Sequence, residues 1–354
     1  MENFQKLKLF WKNKNVFITG HTGFKGSWLS IFLNMLGSKV YGYSLKPKKN
    51  SLFIKADLNK IFVRSVYGDI NNLKKLKAEI IKSKPEIVFH LAAQPLVKDS
   101  YEDPSKTFKT NVLGSLNILE AINFNDSVKS ALLITTDKVY KDQGNKVYKE
   151  IDELGANDPY STSKACMELL TASYIKSFFA NKNLNGKVAT ARSGNVVGGG
   201  DVAKNRLLPD IIDSINKEHE LIIRNPSFVR PWQHVIEPLY GYIKLAQLQY
   251  TKKFLKNNSW NFGPNKGSFL SVFDVVKKIR KFKNFSYRID NKNKFKETKI
   301  LKLDNRKSKK ILKWFPKLNI NQTIDLVISW NDLYNKNYNA KQNCEKQIME
   351  YLKK

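Results

Sequence analysis

Two residues four positions apart, Tyr160 and Lys164 in the stretch DPYSTSK, could transfer protons. This spacing places both side chains on one face of a helix. A free tyrosine has a pKa of roughly 10 and is a weak base at neutral pH, whereas a neighbouring ammonium group favours the phenolate. Thr136, in TTDKVY after an apolar strand, could share the proton between the tyrosine and a substrate hydroxyl. An exposed pair on a helix is the alternative, because the YxxxK spacing is common.

A glycine-rich turn near the N-terminus favours the catalytic interpretation. TGHTGFKG places glycines at positions 20, 23 and 26, between an apolar strand and a helix. Glycine permits a tight turn and lets the backbone approach a pyrophosphate, and the N-terminus of the following helix attracts phosphate groups. The spacing is GxxGxxG rather than the more common GxGxxG. Its position between strand and helix favours a dinucleotide site over a structural turn.

The residues that would bind the adenosine end leave the choice of dinucleotide open. The second strand ends near Ser44, where an acidic residue usually binds the ribose of NAD. The stretch GYSLKPKK has no carboxylate, and its lysines would also suit the ribose phosphate of NADP. Asp69 could accept a hydrogen bond from the adenine amino group, or it could cap the helix predicted over 71–82.

The predicted fold class is α/β: a doubly wound parallel Rossmann sheet with a smaller mixed C-terminal substrate lobe. Short apolar strands alternate with amphipathic helices up to about residue 192, as expected of strands that are buried on both faces. We predict a Rossmann domain over 1–193, with a strand near 259–264 that returns to it. A substrate-binding lobe is predicted over 194–335, and a basic tail over 336–354 is predicted as a surface helix or a frayed end.

Composition limits the class of protein and its partners. Lys and Arg number 62 against 31 Asp and Glu, which gives a net charge of +31, but the lysines are spread along the chain and no nucleic-acid-binding motif accompanies them. We therefore expect no nucleic-acid partner. The two cysteines, Cys166 and Cys344, form neither a disulfide framework nor a zinc motif, so no metal site is expected. The chain has no apolar run long enough to span a membrane and no signal peptide, which predicts a cytoplasmic protein without a membrane partner.

Taken together, these motifs resemble the extended short-chain dehydrogenase/reductase superfamily. The resemblance extends to about residue 265 through TGHTGFKG, HLAAQ, NVLGSLNILEA, TTDKVY and YSTSK. Within the superfamily the chain is most similar to the CDP-glucose 4,6-dehydratases, through FWKNKNVFITGHTGFKGSWL, HLAAQPLV, GNVVGGGD and RPWQHV. The pair Asp137-Lys138 looks like that group, because most other sugar-nucleotide dehydratases have Asp-Glu there and epimerases have small residues.

The resemblance implies a lyase that dehydrates a nucleotide sugar, most similar to conversion of CDP-glucose to CDP-4-keto-6-deoxyglucose for deoxysugar and lipopolysaccharide O-antigen biosynthesis. Oxidation at carbon 4 would acidify the hydrogen on carbon 5, water would leave across carbons 5 and 6, and the hydride would return to carbon 6. Because the same hydride is removed and returned, a tightly bound NAD is implied, although the residues themselves do not exclude NADP. A homodimer or higher homo-oligomer is also implied, through helices near 105–122 and 160–179.

The resemblance also assigns roles to residues. Tyr160 would deprotonate the 4-hydroxyl, Asp137 would be the acid, and Lys138 would be the base or would tune Asp137; a salt bridge between the latter two without a chemical role is the alternative. The catalytic residues are Thr136, Asp137, Lys138, Tyr160 and Lys164. The cofactor-binding residues are Gly20, Thr22, Gly23, Phe24, Lys25, Gly26, Ser44, Asp69, Ile70, Leu91, Ala92, Ala93, Tyr160 and Lys164. The substrate-binding residues are Gln94, Asn195, Arg206, Arg230, Gln233 and His234.

Two alternatives stay open at this point. One is a nucleotide-sugar 4-epimerase or reductase on the same fold, against which the Asp137-Lys138 pair argues. The other is a basic nucleic-acid-binding protein that retains the nucleotide fold, against which the intact set of Thr136, Tyr160 and Lys164 argues.

Overall fold

The computed structural model of the chain describes residues 2–180, 184, 186–251, 258–290 and 297–354. Its strands, in chain order, are β1 (Asn15–Thr19), β2 (Lys39–Ser44), β3 (Phe62–Tyr67), β4 (Ile87–His90), β5 (Ser130–Ile134), β6 (Val188–Ser193), β7 (Val196–Val197), β8 (Leu221–Arg224), β9 (Val229–Pro231), β10 (Gln233–His234), β11 (Ser259–Phe262), β12 (Phe269–Ser271) and β13 (Tyr287–Asp290).

The α-helices of the same ranges are α1 (Glu2–Trp11), α2 (Phe24–Met35), α3 (Leu52–Lys55), α4 (Leu73–Ser83), α5 (Val97–Glu102), α6 (Pro104–Phe108), α7 (Gly114–Asn123), α8 (Pro159–Tyr174), α9 (Leu207–Lys217), α10 (Ile236–Thr251), α11 (Val272–Arg280), α12 (Arg306–Leu312), α13 (Ile320–Asn335) and α14 (Ala340–Lys353). A π-helical turn joins α6 to α7 and another follows α8.

The centre of the fold is a parallel sheet. In the described part of the chain it has seven strands, in the order β11-β6-β5-β4-β1-β2-β3. Strands β4, β5 and β6 are buried along their whole length, because helices cover both faces of the sheet. Two apolar clusters lie on these faces, one that includes residues of α2, α10 and α14 and one that includes residues of α4, α7 and α8. The predicted doubly wound parallel sheet is confirmed.

The smaller lobe is built from short strand pairs and helices. Strand β8 pairs with β13 and β9 with β12, and side chains of α9, α11 and α13 enclose a third apolar cluster. The segment from α10 to β11 belongs instead to the main sheet: β11 pairs in parallel with β6, and α10 contributes to the first cluster. The predicted boundary at residue 193 falls between β6 of the main sheet and β7, and the chain returns to the main sheet with α10 as well as with the strand predicted near 259–264.

The C-terminal segment differs from the prediction. Residues 340–353 form α14, and Cys344, Ile348, Tyr351 and Leu352 are buried in the first apolar cluster. The phenolic hydroxyl of Tyr351 donates to Glu237 Oε2 at 2.6 Å. The frayed end is wrong and the helix is present: apolar residues at helical spacing lie among the lysines, so one face of α14 is buried while the other is exposed.

Candidate active site

A cavity of about 1110 Å³ lies at the carboxyl ends of the sheet strands and is walled on its far side by the smaller lobe. This is where ligands bind in open α/β sheets. Every residue predicted to be catalytic or to bind the cofactor lines it, and so do four of the six predicted substrate residues: Gln94, Asn195, Arg206 and Arg230. The tertiary structure thus brings together residues that lie more than 200 positions apart in the chain.

The glycine turn is shaped by close backbone approaches. Gly20 has a φ of +74°, and a Cβ at this position would lie 2.7 Å from the backbone nitrogen of Ala92. A Cβ on Gly26 would collide with the carbonyl oxygen of Gly20. Both positions therefore require glycine, while Gly23 is less constrained, since its Cβ would lie 3.3 Å from the same oxygen. The turn leads directly into α2, whose N-terminus faces the cavity with unpaired backbone N–H groups.

The end of the cavity near β2 has hydroxyl groups where the usual dinucleotide-binding pattern has a carboxylate. Thr22 Oγ1 lies 2.8 Å from Ser44 Oγ and donates to the carbonyl of Leu45 at 3.0 Å. Asp69 lines the cavity and accepts hydrogen bonds from the backbone and side-chain nitrogens of Asn71. The N-cap of α4 is Asn72, so the alternative role of Asp69 as a helix cap is wrong.

Tyr160 is buried at the base of the cavity. Burial raises its pKa to about 12, while a hydrogen bond with Thr136 and the positive charge of Arg206 act in the opposite direction. Lys164 donates to the carbonyl of Ile134 at 3.0 Å, and burial lowers the pKa of Lys164 to about 8 against the opposing effect of Glu168. The expected lowering of the Tyr160 pKa by a neighbouring ammonium is not observed, because the loss of solvation outweighs the favourable contacts of the phenolate.

Lys25, at the start of α2 beside the glycine turn, is a half-buried lysine that also lines this cavity. Its Nζ donates to Ser193 Oγ at 2.9 Å. Burial, followed by the positive charges of Arg206 and Lys164, lowers the pKa of Lys25 to about 7. Several cations thus converge on the cavity, which favours an anionic ligand such as a diphosphate.

Asp137 and Lys138 belong to a chain of alternating charges that crosses the cavity wall. Asp137 is 1% exposed; its Oδ1 accepts a hydrogen bond from Thr136 at 3.0 Å, and its Oδ2 is buried without a partner in the described residues. Lys138 Nζ lies 3.7 Å from Asp137 Oδ1 and 3.8 Å from Glu297 Oε1. Glu297 Oε1 is in turn 3.1 Å from the guanidinium of Arg230. The carboxyl group of Asp137 therefore retains an oxygen that can engage a ligand.

The predicted substrate residues differ in how free their side chains are. Arg206 pairs with Asp201 at 2.9 Å and is one-third exposed, so it can turn towards a bound anion. The amide nitrogen of Gln94 is already bonded to the carbonyl of Leu96 and to Thr107, so this side chain shapes the cavity wall.

Gln233 and His234 are not in the cavity lining that the structure describes. The amide nitrogen of Gln233 donates to the carbonyl of Phe262 at 2.7 Å, and His234 is fully buried with its ring edge-on to Trp28. The structure does not bring these two predicted substrate-binding residues to the cavity, because β10 pairs with β7 and both side chains are buried.

Two features of the site were not predicted. Glu297 lies in the C-terminal 90 residues, where the resemblance is weak, and no local pattern marks it. A buried pair of Glu168 and Arg192 lies behind Lys164, with Nη2 of the arginine 2.8 Å from Oε2 of the glutamate. The position of Glu168 four residues after Lys164 could have indicated that the two lie on neighbouring turns of one helix.

The doubly wound sheet, the glycine turn and the Tyr160–Lys164 pair define a short-chain dehydrogenase/reductase of the extended type. A family model described as GDP-mannose 4,6 dehydratase matches residues 17–327, and the chain belongs to this family. In the described residues, no group of three or more His, Cys, Asp and Glu side chains could hold a metal ion. No described helix has the length and apolar character that crossing a membrane requires.

Known proteins resemble the chain over nearly its full length. It is 42% identical over 353 residues to the CDP-glucose 4,6-dehydratase of Salmonella typhimurium, covering 98% of each protein. Among solved structures, dTDP-glucose 4,6-dehydratase from Bacillus anthracis in complex with NAD has a TM-score of 0.77 at 20% identity, covering 94% of this chain and 99% of that one. UDP-glucose-4-epimerase from Stenotrophomonas maltophila has a TM-score of 0.79 at 19% identity, covering 92% and 100%. The two structures share the fold.

Proposed function

We propose that the chain is an NAD-dependent 4,6-dehydratase that converts CDP-glucose to CDP-4-keto-6-deoxyglucose and water. The observation that carries the proposal is the buried Asp137, which faces the same cavity as Tyr160 and Lys164 and has one carboxyl oxygen without a partner in the described residues. An oxidation of a sugar hydroxyl needs only the tyrosine and lysine, whereas loss of water needs a further acid. The 42% identity to a CDP-glucose 4,6-dehydratase supports the choice of nucleotide sugar.

NAD fits the residues of the cavity. The glycine turn would bind its pyrophosphate at the N-terminus of α2, where Gly20 and Gly26 leave room that a Cβ would fill. Lys164 would bind the nicotinamide ribose, and Asp69 the adenine. When bound, NAD supplies the redox chemistry by accepting the hydride from carbon 4 and returning it to carbon 6. NAD is favoured over NADP because a similar dehydratase structure is a complex with NAD. The hydroxyl pair Thr22–Ser44 does not itself discriminate between the ribose of NAD and the ribose phosphate of NADP.

In the first half of the reaction Tyr160 takes the proton of the 4-hydroxyl. Thr136, which is hydrogen-bonded to Tyr160, holds the phenol and the sugar hydroxyl in line. The charge of Lys164 favours the phenolate once the substrate is bound. Arg206 and Arg230 bind the diphosphate, whose oxygens match the planar fork of a guanidinium group.

In the second half Asp137 and Lys138 eliminate water. For this step the proton of the Asp137–Lys138 pair lies on the carboxyl group, so that Lys138 is a free amine. The ketone at carbon 4 acidifies the hydrogen on carbon 5, and Lys138 removes it as a proton. Asp137 donates a proton to the 6-hydroxyl, which leaves as water, and the double bond forms between carbons 5 and 6. The hydride returns to carbon 6 and Lys138 returns its proton to carbon 5. The proton that Tyr160 took from the 4-hydroxyl passes to Asp137 through Thr136, which is hydrogen-bonded to both, so the net change is the loss of one water molecule.

The test is to incubate the purified protein and NAD with CDP-glucose, UDP-glucose, dTDP-glucose and GDP-mannose, and to follow each by mass spectrometry. We expect CDP-glucose to lose the mass of water, and the Tyr160→Phe variant to leave it unchanged. Recovery of an isomer of equal mass would identify an epimerase instead. Absence of water loss from every sugar nucleotide would refute the proposal. A parallel series with NADP identifies the preferred cofactor.

The quaternary structure proposed is a homodimer in the cytoplasm, formed through α7 and α8. Apolar side chains on or next to these helices are exposed in the single chain: Leu113 is 49%, Leu169 61% and Phe178 47% exposed. Leu119 and Tyr174, in contrast, belong to the core of one subunit. Sedimentation of the wild type and of Leu169→Glu distinguishes the dimer from a monomer.

A further inference from the structure

A saturated polar cluster lies directly behind the proposed catalytic pair. Glu168 follows Lys164 by one helical turn and is almost fully buried. Its Oε1 accepts from Thr135 Oγ1 at 2.5 Å and from Arg192 Nε at 2.9 Å. Its Oε2 accepts from Arg192 Nη2 at 2.8 Å and from Thr190 Oγ1 at 2.5 Å. A buried carboxylate with this many donors has a defined position, because each oxygen is held from two sides.

The cluster ties together the strand ends that shape the site. Thr135 is adjacent to Thr136 and precedes the Asp137-Lys138 turn. The other side of the Arg192 guanidinium donates to the hydroxyl of Tyr140 at 2.8 Å. That hydroxyl in turn donates to Asn261 on β11 at 2.7 Å. The contacts therefore connect α8 with β5, β6 and β11, and a shift of Glu168 would move the catalytic strand end.

Glu168 also acts on the charge of Lys164. Burial lowers the pKa of Lys164, and the negative charge of Glu168 opposes this effect. The other titratable groups that face Lys164 are Lys25 of α2, His90 of β4, whose pKa is held at about 3 by burial so that the ring is neutral, and Tyr160 on its own helix. Behind Glu168 lie the charges of Arg192 and Lys307.

We propose that Glu168 is a positioning residue: by pairing with Arg192 and binding Thr135, it aligns Thr136 with Tyr160 and holds a negative charge one helical turn from Lys164. Glu168 and Arg192 are outside the cavity lining, so neither contacts substrate or cofactor. The proposal rests on the proposed function, because it assigns Lys164 to the nicotinamide ribose. According to this proposal, the reaction requires the negative charge of Glu168 in addition to Tyr160 and Lys164.

The test compares Glu168→Gln, Glu168→Asp and the double variant Glu168→Gln/Arg192→Met. The double variant removes both charges, so it avoids an unpaired buried guanidinium that could prevent folding. For each folded variant, the affinity for NAD is measured by calorimetry as a function of pH. We expect wild-type affinity to fall as Lys164 loses its proton, and the double variant to show this fall at lower pH. Glu168→Asp keeps the charge and should restore the wild-type pH dependence.

A matched control separates positioning from general stability. Glu237 is another buried carboxylate, bonded to the backbone nitrogens of Lys317 and Leu318 at 2.7 Å and remote from the cavity lining. Glu237→Gln should lower the melting temperature without changing the pH at which NAD is released. With CDP-glucose, the double variant should have a kcat about 10- to 100-fold lower, as expected when a catalytic group is displaced by up to an ångström.

Two results would overturn the proposal. One is a folded double variant with wild-type pH dependence of NAD binding and wild-type kcat; the other is an equal shift of the pH dependence in Glu237→Gln. If the proposed dehydration is wrong, the wild type will show no turnover of CDP-glucose. The pH dependence of NAD binding would still test the role of Glu168 in that case.

Discussion

Replacing Asp137 with asparagine separates the two halves of the proposed reaction. Asparagine has nearly the same shape and retains an oxygen that can accept the hydrogen bond from Thr136. The other carboxyl oxygen has no partner in the described residues, so the substitution breaks no further hydrogen bond there. The change therefore removes an acid and the ion pair with Lys138 at 3.7 Å, while the hydrogen bond from Thr136 can stay in place, and we expect Asp137→Asn to fold.

The size of the effect follows from the loss of general acid catalysis. Such a group contributes about 10²- to 10⁴-fold to a rate, which corresponds to about 3–5 kcal/mol in the barrier to water loss. Oxidation of carbon 4 does not need this acid. In a single turnover followed by the absorbance of reduced nicotinamide, we expect the reduced cofactor to form and to persist, whereas in the wild type it disappears as the product forms.

The control for this experiment is Asp152→Asn. Asp152 is also a partly buried carboxylate, bonded to the backbone nitrogen of Lys149 at 2.7 Å and paired with Lys146 at 3.0 Å, and it is outside the cavity lining. The Asp152→Asn variant should convert CDP-glucose at the wild-type rate. Unchanged water loss in Asp137→Asn would remove the acid role, and an equal loss of cofactor reduction would assign Asp137 to the first step instead.

Three further predictions concern the cofactor, the C-terminal helix and pH. Gly26→Ala should abolish NAD binding measured by calorimetry, because the added Cβ collides with the Gly20 carbonyl, whereas Gly267→Ala, where nothing lies within 4 Å of the added Cβ, should bind normally; equal binding by both would contradict this account of the turn. Truncation before α14 should abolish cooperative unfolding in urea, since it exposes buried Cys344, Ile348, Tyr351 and Leu352; a truncated chain with wild-type stability would contradict the packing. Burial lowers the pKa of His234 to about 3, below its ordinary 6.5, so the unfolded chain binds more protons than the folded chain and the free energy of unfolding should fall as pH decreases from about 6.5. In urea titrations His234→Asn should weaken this pH dependence, whereas His219→Asn, at an exposed position, should not. Identical pH dependences for the two variants would refute the prediction.

Local patterns were sufficient for the sheet and most of the cavity. Strands such as β4 and β5 are short apolar runs, and each is followed by a helix of clear amphipathic spacing, so a parallel sheet was predictable. Residues that directly follow these strands meet at one edge, which explains why the glycine turn, Thr136 and Asp137 share a cavity. Site residues that directly follow a strand could therefore be predicted from the sequence.

Side-chain direction was not predictable in the second lobe. Gln233 and His234 follow Arg230 in one short motif, yet Arg230 reaches the cavity and the other two side chains point into the interior. Gln233 and His234 form β10, whose pairing with Val196 and Val197 of β7 buries the side chains on both of its faces, and local sequence does not specify that pairing. The same limit applies to α14, whose apolar face becomes core because α2 and α13 pack against it.

The types and order of the chemical groups were determined by the sequence alone: a turn that needs glycine, a tyrosine and lysine one helical turn apart, and an aspartate at a strand end. Only the tertiary structure decided their electrostatic state. Burial raises the pKa of Tyr160 and lowers those of Lys25 and Lys164. Glu297 reaches the site from the C-terminal part of the chain, and Arg192 of β6 pairs with Glu168 behind it. Solvation and long-range charge pairing depend on which segments are packed together, and local sequence does not specify that packing.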